Sequence, residues 1–251
     1  MVRLSLPLYF EGNRTPLPKL SLQFNQTERG DRLTPGLTNP RRWSLILFRQ
    51  KLTQVVLSDA VPPGDIVLDY GCGNRPYAQI LSQKFKRYVG ADLQGNTAAD
   101  LILDEECKLP ITTPLADCVL SSQVLEHVAD PRAYLAEALR VLKPRGTLVL
   151  STHGAWQYHP DPEDNWRWTV SGLQLEIRRA GFEIVRVDSV LSRVSAVLML
   201  WQDATLPKLH HRLHTLYVFF IQAVIGVIER RREDRLDPNA SVFLVVARKR
   251  C

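Results

Sequence analysis

The sequence predicts an α/β fold in which helices cover both faces of a doubly wound, parallel, seven-stranded sheet. Short apolar runs alternate along the chain with longer segments of helical character, an order typical of parallel sheets with crossover helices. The chain has 251 residues, of which 45% are hydrophobic, so it can bury the core that such a sheet needs. The strands are predicted in DIVLDY, RYVGADL, AADLILD, ADCVLSSQVLEHV, GTLVLSTH, FEIVRVDSV and SVFLVVARKR.

Capping residues mark the ends of the predicted helices. Asn39 and Asp130 each stand before a proline, the order typical of a helix N-cap and its first turn. Thr169 is the predicted N-cap of a later helix, and Gly181 follows the last turn of that helix. The helices are predicted in NPRRWSLILFRQKLTQVVLSDAV, PYAQILSQKF, DPRAYLAEALRVLKP and TVSGLQLEIRRAGF.

Composition divides the chain into two regions. Residues 1–40 are rich in Pro, Asn, Thr and Gly without a sustained period, which predicts an irregular N-terminal arm. Residues 41–251 form the predicted main domain, with a helical insertion at about 192–235 that Pro207 splits into two helices. Residues 215–228 are nearly all apolar but shorter than the roughly 20 residues that cross a membrane. We expect them to pack on the core or on the twin subunit of a homodimer; the alternative is a peripheral membrane contact.

The distribution of charge disfavours a nucleic-acid partner. The chain carries +6, but residues 1–60 hold nine Lys or Arg and four Asp or Glu, a surplus of five. Residues 61–251 therefore carry only +1. A nucleic-acid site needs clustered basic residues on the working domain.

The cysteines and the first residues favour a cytoplasmic protein. Cys72, Cys107, Cys118 and Cys251 lie far apart, so their spacing predicts neither a disulfide framework nor a metal site. A reduced, cytoplasmic setting is the simpler interpretation. Pro7 interrupts the apolar run MVRLSLPLYF, and we expect no secretory signal peptide there.

The segment IVLDYGCGNRPY, residues 66–77, predicts a ligand site where the first strand ends. Gly71 and Gly73 let the backbone approach a ligand closely, and ligands of doubly wound sheets bind beyond the carboxyl ends of the strands. Asp92 ends the next strand about 20 residues later, where an acid accepts the hydroxyls of a ribose. The third glycine of a dinucleotide loop is absent, and Asp69 before the turn would repel a pyrophosphate but attract an ammonium group. The sequence therefore predicts a nucleoside ligand that carries an amino acid.

Four motifs along the chain together resemble a known family. They are VLDYGCG at 67–73, GADL at 90–93, ADCVLSSQVLEHVADP at 116–131 and EALRVLKPRGTLVLST at 137–152. In this order and spacing they are similar to the class I S-adenosylmethionine-dependent methyltransferases, in the methyltransferase type 11, or UbiE-like, group. The resemblance covers about residues 60–190. It implies a Rossmann-like class I methyltransferase fold with S-adenosylmethionine as the cofactor.

The resemblance also implies which residues hold the cofactor. Asp69, Gly71 and Gly73 match the loop around the methionine part, where Cys72 would contribute mainly backbone. Asp92 matches the acid that binds the ribose hydroxyls. The rest of the implied cofactor set follows the second, third and fourth strands: Leu93, Asp104 near the adenine amino group, Ser122 and Gln123.

Three histidines are the predicted catalytic bases. By the resemblance, His127 in VLEHV lies beside the acceptor pocket, where a neutral imidazole can take a proton near pH 7. The alternative is that His127 and Glu126 only fix their loop. His153 and His159 lie in STHGAWQYHPDPEDNWRWT, directly after the fifth strand, and loops at this edge of a sheet carry function more often than packing.

The same loop supplies the predicted acceptor-binding residues Asp164, Trp166 and Arg167. Aromatic rings with polar partners suit a sugar-like or ring-bearing acceptor. The loop resembles those of family members that act on glycans or their lipid-linked precursors, which is an analogy. The alternatives are a lid that only covers the cofactor and, for Trp166 and Trp168, packing in the core.

The predicted function is methyl transfer from S-adenosylmethionine to a small-molecule, glycan or lipid-linked acceptor, with oxygen favoured as the methylated atom. The main task of such an enzyme is to align the acceptor with the methyl group. One alternative is an RNA methyltransferase, which would need basic residues around the pocket. Another is a binding or scaffold protein that has kept the fold without catalysis. Asp69, Gly71, Gly73 and Asp92 together favour a chain that still binds the cofactor.

Overall fold

A seven-stranded sheet runs through the molecule, and the computed structural model describes it within residues 32–232 and 234–250. Most of the arm predicted at 1–40 lies outside the described residues. The strands are β1 (Gly64–Tyr70), β2 (Phe85–Asp92), β3 (Leu101–Ile102), β4 (Ala116–Ser122), β5 (Leu142–His153), β6 (Phe182–Val190) and β7 (Val242–Lys249). Their order across the sheet is β3-β2-β1-β4-β5-β7-β6.

The helices lie on both sides of this sheet, which confirms the doubly wound Rossmann-like prediction. They are α1 (Arg42–Leu57), α2 (Ala78–Leu81), α3 (Pro131–Val141), α4 (Val170–Arg179), α5 (Arg193–Thr205), a 3-10 turn (Leu206–Lys208) and α6 (His211–Arg230). Neighbouring residues of β5 show the two layers, because successive side chains of a strand point to opposite faces. Leu148 packs in one cluster with Leu135 of α3, while Val149 packs in the other with Leu52 of α1 and Ile225 of α6.

The sheet is mixed rather than wholly parallel, so the prediction of an all-parallel sheet is wrong for one strand. Strands β1 to β5 pair in parallel, whereas β7 pairs antiparallel with both β5 and β6. The connection from β6 to β7 explains the reversal. One crossover helix takes the chain back to the end of the sheet where the previous strand began, so the next strand runs parallel to it. Between β6 and β7 there are two antiparallel helices, α5 and α6. They return the chain to the end where β6 stopped, so β7 runs antiparallel to β6.

The caps predicted for the helices after β4 and β5 are confirmed. Asp130 accepts hydrogen bonds from the backbone N–H groups of Arg132 and Ala133, at 2.9 and 3.1 Å. Thr169 accepts one from the N–H of Gly172 at 3.1 Å. Gly181 has a φ of 100°, in the left-handed region that glycine tolerates.

Three predicted helix boundaries are wrong. Asn39 is not the N-cap of α1, because its side chain accepts from the N–H of Arg41 at 2.7 Å and forms a turn before the helix begins. The helix predicted at PYAQILSQKF stops at Leu81, since Phe85 pairs with Gly64 as the first residue of β2. The helix α3 ends at Val141, and the KPRG segment belongs to β5, with Arg145 at a φ of 64°.

The α5–α6 hairpin is held together by polar groups at its open end. The carboxylate of Glu229 accepts hydrogen bonds from the N–H of Ser192 at 2.8 Å, from Ser192 Oγ at 2.7 Å and from Ser195 Oγ at 2.6 Å. Helix α6 has 20 residues and is longer than its apolar run at 215–228. Among the described helices it is the one long and apolar enough to cross a membrane, a test that core helices of soluble proteins also pass.

The contact between α6 and α1 generates a prediction for folding stability. Gly226 leaves no room for a side chain, because a Cβ there would lie 2.5 Å from Cε2 of Trp43. We expect Gly226→Val to separate the two helices and lower the free energy of unfolding by about 1–3 kcal/mol, as overpacking does. Urea denaturation measures this difference.

Val227→Ala is the matched control for that experiment. Val227 is the next residue of α6 and is 50% exposed, so its truncation should change the free energy of unfolding by no more than about 0.5 kcal/mol. A Gly226→Val protein as stable as the unsubstituted one would mean that α6 does not pack on Trp43.

Candidate active site

A cavity of about 570 Å³ opens at the carboxyl ends of the parallel strands. Gly71 and Gly73 follow β1, Asp92 ends β2, Ser122 ends β4 and His153 ends β5, and all five line this cavity. Ligands of doubly wound sheets bind at this edge. Residues far apart in the sequence are therefore brought together where a ligand is expected.

The glycine turn after β1 needs glycine for two different reasons. Gly71 has a φ of 87°, and a Cβ there would lie 2.4 Å from Cγ2 of Val124. Gly73 has a φ of 49° and faces open space. Pro76 follows in place of a third glycine, and α2 then has only four residues. A loop that cradles a pyrophosphate leads into a full helix, so this turn fits a ligand without a pyrophosphate.

Asp92 is fixed on the cavity wall by three hydrogen bonds from N–H groups and by a weaker one from the thiol of Cys72, whose Sγ lies 4.0 Å from Oδ2. Its Oδ2 accepts from the N–H of Gly73 at 2.7 Å and from Nδ2 of Asn96 at 2.7 Å, and its Oδ1 accepts from the N–H of Leu93 at 2.8 Å. Among the described residues only Leu93 donates to Oδ1, so this oxygen keeps an acceptor position for a hydroxyl donor. Asn96 also donates to the carbonyl of Gly73 at 2.9 Å and so ties the acid to the glycine turn. The sequence analysis did not identify Asn96. Its position four residues after Asp92 is what could have indicated a contact with that carboxylate.

Asp69 lies beneath the glycine turn rather than on the cavity wall. It is 2% exposed, and its Oδ2 accepts a hydrogen bond from the hydroxyl of Tyr88 at 2.6 Å. Burial raises the pKa of Asp69 to about 7; the hydrogen bond from Tyr88 opposes the shift, the charge of Asp92 adds to it and Arg75 opposes it. The direct contact with the cofactor that the resemblance implied is not part of this geometry.

Asp104 also stands outside the cavity lining. Its Oδ1 accepts hydrogen bonds from the N–H groups of Glu106 and Lys108, at 2.9 and 2.8 Å, and its side chain is exposed. The carboxylate is therefore used by its own turn, which corrects the placement near the adenine amino group. Leu103 and Glu105, on either side of it in the sequence, line the cavity instead. Glu105 is thus the acid of this segment that lines the cavity.

The other residues of the implied cofactor set divide between wall and interior. Leu93, Ser122 and Gln123 line the cavity. Gln123 has a φ of 59°, and its Nε2 donates to Oγ of Ser151 at 3.0 Å. Cys72 is buried and lies outside the lining; burial, followed by the charges of Asp69 and Asp92, raises the pKa of its thiol to about 12. Its side chain is therefore a neutral thiol, in line with a backbone role.

The three predicted catalytic histidines meet at the other end of the cavity. The rings of His127 and His159 lie 5.0 Å apart, and those of His153 and His159 lie 4.8 Å apart. His153 also stacks on Trp156 with ring centres 4.5 Å apart. Burial, and then the charges of His153 and His127, lower the pKa of His159. Since its partner Asp164 does not reverse this shift, His159 is a neutral imidazole at neutral pH.

Glu126 forms the floor of this histidine cluster. Its side chain is fully buried, and its Oε2 accepts from Thr152 Oγ1 at 2.8 Å. Burial opposes ionisation, but the interactions with His153 and His127 outweigh it and lower the pKa of Glu126. The backbone carbonyl of Glu126 accepts from the N–H groups of Asn165 and Trp166, at 2.8 and 3.1 Å. Glu126 therefore also anchors the loop after β5.

The predicted acceptor-binding residues brace that loop and do not line the cavity. Asp164 accepts from Arg167 on both oxygens at 2.5 Å and from the N–H of His159 at 2.8 Å. Burial opposes ionisation of Asp164, but its bonds to Arg167 and His159 lower its pKa to about 2. Trp166 donates from Nε1 to the carbonyl of Val128 at 2.8 Å. Asp164, Trp166 and Arg167 lie along a shallower neighbouring pocket, so direct contact with an acceptor in the cavity is not supported.

Residues that sequence reasoning did not single out form the wall at this end. Four come from the start of α1 and the residue before it, and four from the loop after β5. They are Arg41, Ser44, Leu45, Phe48, Trp156, Asp161, Pro162 and Glu163. Helix α1 was predicted only as a packing element, and its sequence carries no motif that marks it as part of a site.

The titration of Asp69 generates a prediction about stability and pH. The carboxyl titrates at about 7 in the folded protein and at about 3.9 in an unfolded chain, so folding retains a proton in this interval. The stability that Asp69 contributes is full below about pH 4 and is lost as the pH rises to about 7. We expect Asp69→Asn to remove this dependence. The free energy of unfolding of the unsubstituted protein, relative to the variant, should fall by up to about 1.4 kcal/mol per pH unit and then level off.

Urea unfolding of both proteins between about pH 5 and about pH 8 measures this difference. Asp104→Asn is the control, because that carboxyl is exposed. A difference between the unsubstituted protein and Asp69→Asn that stays constant across this range would contradict the assignment.

Comparison with known proteins identifies a family. A family model described as a methyltransferase domain matches residues 45–187, more than half of the chain. A probable S-adenosylmethionine-dependent methyltransferase of Mycolicibacterium smegmatis is 26% identical over 170 residues, which cover 62% of this chain and 65% of the relative. A ubiquinone biosynthesis O-methyltransferase of Dinoroseobacter shibae is 37% identical over 99 residues, 34% of this chain and 40% of the relative. The chain thus spans less than two thirds of the length of each of these relatives.

Solved structures share the fold. The cyclase SpnF has a TM-score of 0.53 and 23% identity, over 80% of each chain. The Haemonchus contortus phosphoethanolamine N-methyltransferase 2 in complex with S-adenosyl-L-methionine has a TM-score of 0.53 and 17% identity, over 89% of this chain and 60% of that one. At these identities the likeness concerns the fold alone. The family match and the glycine turn with Asp92 confirm the resemblance seen in the motifs, and the chain belongs to the class I S-adenosylmethionine-dependent methyltransferases.

Proposed function

We propose that the protein methylates an oxygen atom of a small-molecule acceptor that is lipid-linked. The observation that carries the proposal is one continuous cavity, lined by Asp92 at one end and by His127, His153 and His159 at the other. When bound, S-adenosylmethionine supplies a methyl group on a positive sulfur, which needs little activation. The chain's own residues then have to hold the two reactants in line and accept a proton.

The cofactor end of the cavity fits a nucleoside that carries an amino acid. Asp92 keeps an acceptor position for a ribose hydroxyl, and Gly73 leaves open space beside it. Leu103 offers an apolar surface for a base, and Glu105 adds an acceptor at the same end. These groups match the donors and the apolar ring of S-adenosylmethionine.

The charge of the cavity supports a small acceptor rather than RNA. Among the described residues, the charged members of the lining, histidines apart, are Arg32, Arg41, Asp92, Glu105, Asp161 and Glu163. Acids outnumber cations in this set, whereas a path for a nucleic-acid backbone needs the opposite balance. The aromatic and apolar groups at the acceptor end, Phe48, Leu45 and Trp156, favour a ring or a chain of low polarity.

Two observations support oxygen as the methylated atom. A hydroxyl nucleophile must lose its proton, and His159 is a neutral imidazole beside two further histidines at the acceptor end. The relative from Dinoroseobacter shibae is named as an O-methyltransferase. The histidines are therefore proposed as the proton acceptors.

The α5–α6 hairpin supports a lipid-linked acceptor. Large apolar side chains are exposed along both helices, although patches of this kind are uncommon on the surface of a soluble monomer. They are Val194, Val197, Leu200, Trp201, Leu213, Leu216, Phe219, Phe220 and Val227. The hairpin also contacts the cavity wall, because Asp203 of α5 forms an ion pair with Arg41 at 2.8 Å. An apolar face next to the acceptor end suits an acceptor that arrives from a membrane surface.

Calorimetric titration with S-adenosylmethionine and S-adenosylhomocysteine tests the cofactor end. We expect Asp92→Ala to weaken both affinities by about 10-fold to 100-fold, because hydrogen bonds to a charged group contribute about 1.5–3 kcal/mol. Asp104→Asn is the matched control and should retain the affinity, since that acid lies outside the lining. Equal affinities in Asp92→Ala and the unsubstituted protein would refute the ribose assignment.

Flotation with liposomes tests the membrane contact. We expect the protein to rise with vesicles that contain anionic lipid, and the double variant Phe219→Ser with Phe220→Ser to remain at the bottom, because these rings are 49% and 61% exposed. Leu175→Ser, an equally exposed leucine on α4, serves as the control. A protein that ignores vesicles but is a dimer in solution would assign the apolar face to a twin subunit.

A further inference from the structure

The histidines of this chain fall into two groups of different character. Six are present. His210, His211 and His214 belong to the start of α6, while His127, His153 and His159 converge at the acceptor end of the cavity. The second group comes from two separate loops and from the end of β5. Its convergence is a product of the fold and not of local sequence.

A buried carboxylate oxygen lies against this second group. Oε1 of Glu126 is 2.7 Å from Nδ1 of His153 and 4.0 Å from Nε2 of His127. This contact is a buried ion pair whose geometry is not that of a hydrogen bond, and among the described residues neither atom has another hydrogen-bond partner. Buried polar atoms of this kind cost free energy unless something else satisfies them. A cation bound beside both atoms would satisfy them more fully than their contact with each other does.

The distances among these side chains are those of a coordination shell. One ligand atom from each of Glu126, His153 and His159 lies within 4.8 Å of the others. A second set, formed by His127, His159 and Asp164, meets the same criterion and shares His159. Ligands that each lie about 2.0–2.2 Å from an ion are separated by up to about 4 Å, so modest side-chain adjustment closes the shell.

The atoms on the far side of the same groups are held in place. Oε2 of Glu126 accepts from Thr152, Nδ1 of His127 contacts the carbonyl of Glu163, and Nδ1 of His159 lies 3.3 Å from the carbonyl of Gln157. Metal-binding histidines typically use one ring nitrogen for the ion and the other for a carbonyl or a carboxylate. His127 and His159 therefore have the orientation support that ligands need, with Nε2 as the remaining nitrogen.

We propose that Glu126, His127, His153 and His159 bind a divalent transition-metal ion of the zinc class at the acceptor end of the cavity. Imidazole nitrogens with one carboxylate are a donor set that suits zinc and its neighbours rather than magnesium or calcium. The cysteine spacing predicted no metal site, and it could not identify these ligands because none of them is a cysteine.

The ion gives the histidine cluster a role that rests on the proposed methyl transfer and replaces the histidines as its proton acceptors. An acceptor hydroxyl bound to a divalent ion loses its proton more readily, as water does. The proton would leave to solvent, the new bond would form between that oxygen and the methyl carbon, and the bond between the methyl carbon and sulfur would break. The positive sulfur becomes a neutral thioether, so charge and atoms balance. Under this proposal the three imidazoles hold the ion and need not act as bases.

Cobalt titration of the full-length, chelator-treated protein tests the site, because Co²⁺ in a nitrogen and oxygen shell of low symmetry gives a visible absorption band. We expect one equivalent to bind, and Glu126→Gln and His153→Ala each to weaken binding by at least about 10-fold. The double variant His210→Ala with His211→Ala is the matched control and should bind as the unsubstituted protein does. No absorption band with the unsubstituted protein, or loss of binding only in the control variant, would overturn the proposal.

Calorimetry with S-adenosylhomocysteine separates this proposal from the proposed function. Retained cofactor affinity shows that a variant is folded; should Glu126→Gln not fold, His159→Ala, whose side chain is 28% exposed, decides in its place. Cobalt binding without cofactor binding would refute the methyltransferase activity and leave the metal site. Cofactor binding without cobalt binding would refute the metal site and leave the methyltransferase activity.

Discussion

The buried, ionised carboxylate of Glu126 is the constraint on which the acceptor side of the molecule depends. Its side chain joins the loop after β4 to Thr152 and His153 at the end of β5. Its backbone carbonyl holds the later loop through Asn165 and Trp166. A charge without solvent is costly unless partners surround it, so the fold has to bring these segments together. The histidines lie together because the buried carboxylate of Glu126 needs polar partners.

The topology of the sheet places a second constraint on the site. Strands β1 to β5 run in parallel and deliver their carboxyl ends to one edge, where the glycine turn, Asp92 and His153 meet. The two-helix connection between β6 and β7 then reverses the last strand and leaves α5 and α6 beside α1. Helix α1 and the residue before it therefore become part of the cavity wall, through Phe48 and Arg41.

The sequence predicted the features of the fold that depend on residues close together in the chain. The strands, the caps Asp130 and Thr169, and the glycine turn with Asp92 each follow from neighbouring residues, and the structure has them. Asp104, Asp164 and Arg167 were assigned to ligands, whereas the structure uses them inside their own loops. The sequence shows an acid or a base without showing its partner, so it cannot distinguish a carboxylate that caps a turn from one that faces a cavity. The direction of β7 and the wall formed by α1 depend on distant contacts and carried no local signal.

A line of contacts connects the outer hairpin with the centre of the site. Asp203 of α5 pairs with Arg41, whose guanidinium lies 5.5 Å from the ring centre of Trp156, and Trp156 stacks on His153. Through these contacts, a displacement of α5 would be transmitted to the imidazole of His153 on the opposite side of the indole. The exposed apolar face of the hairpin is thereby connected by contacts to the acceptor end, and any coupling between the two would act equally in both directions.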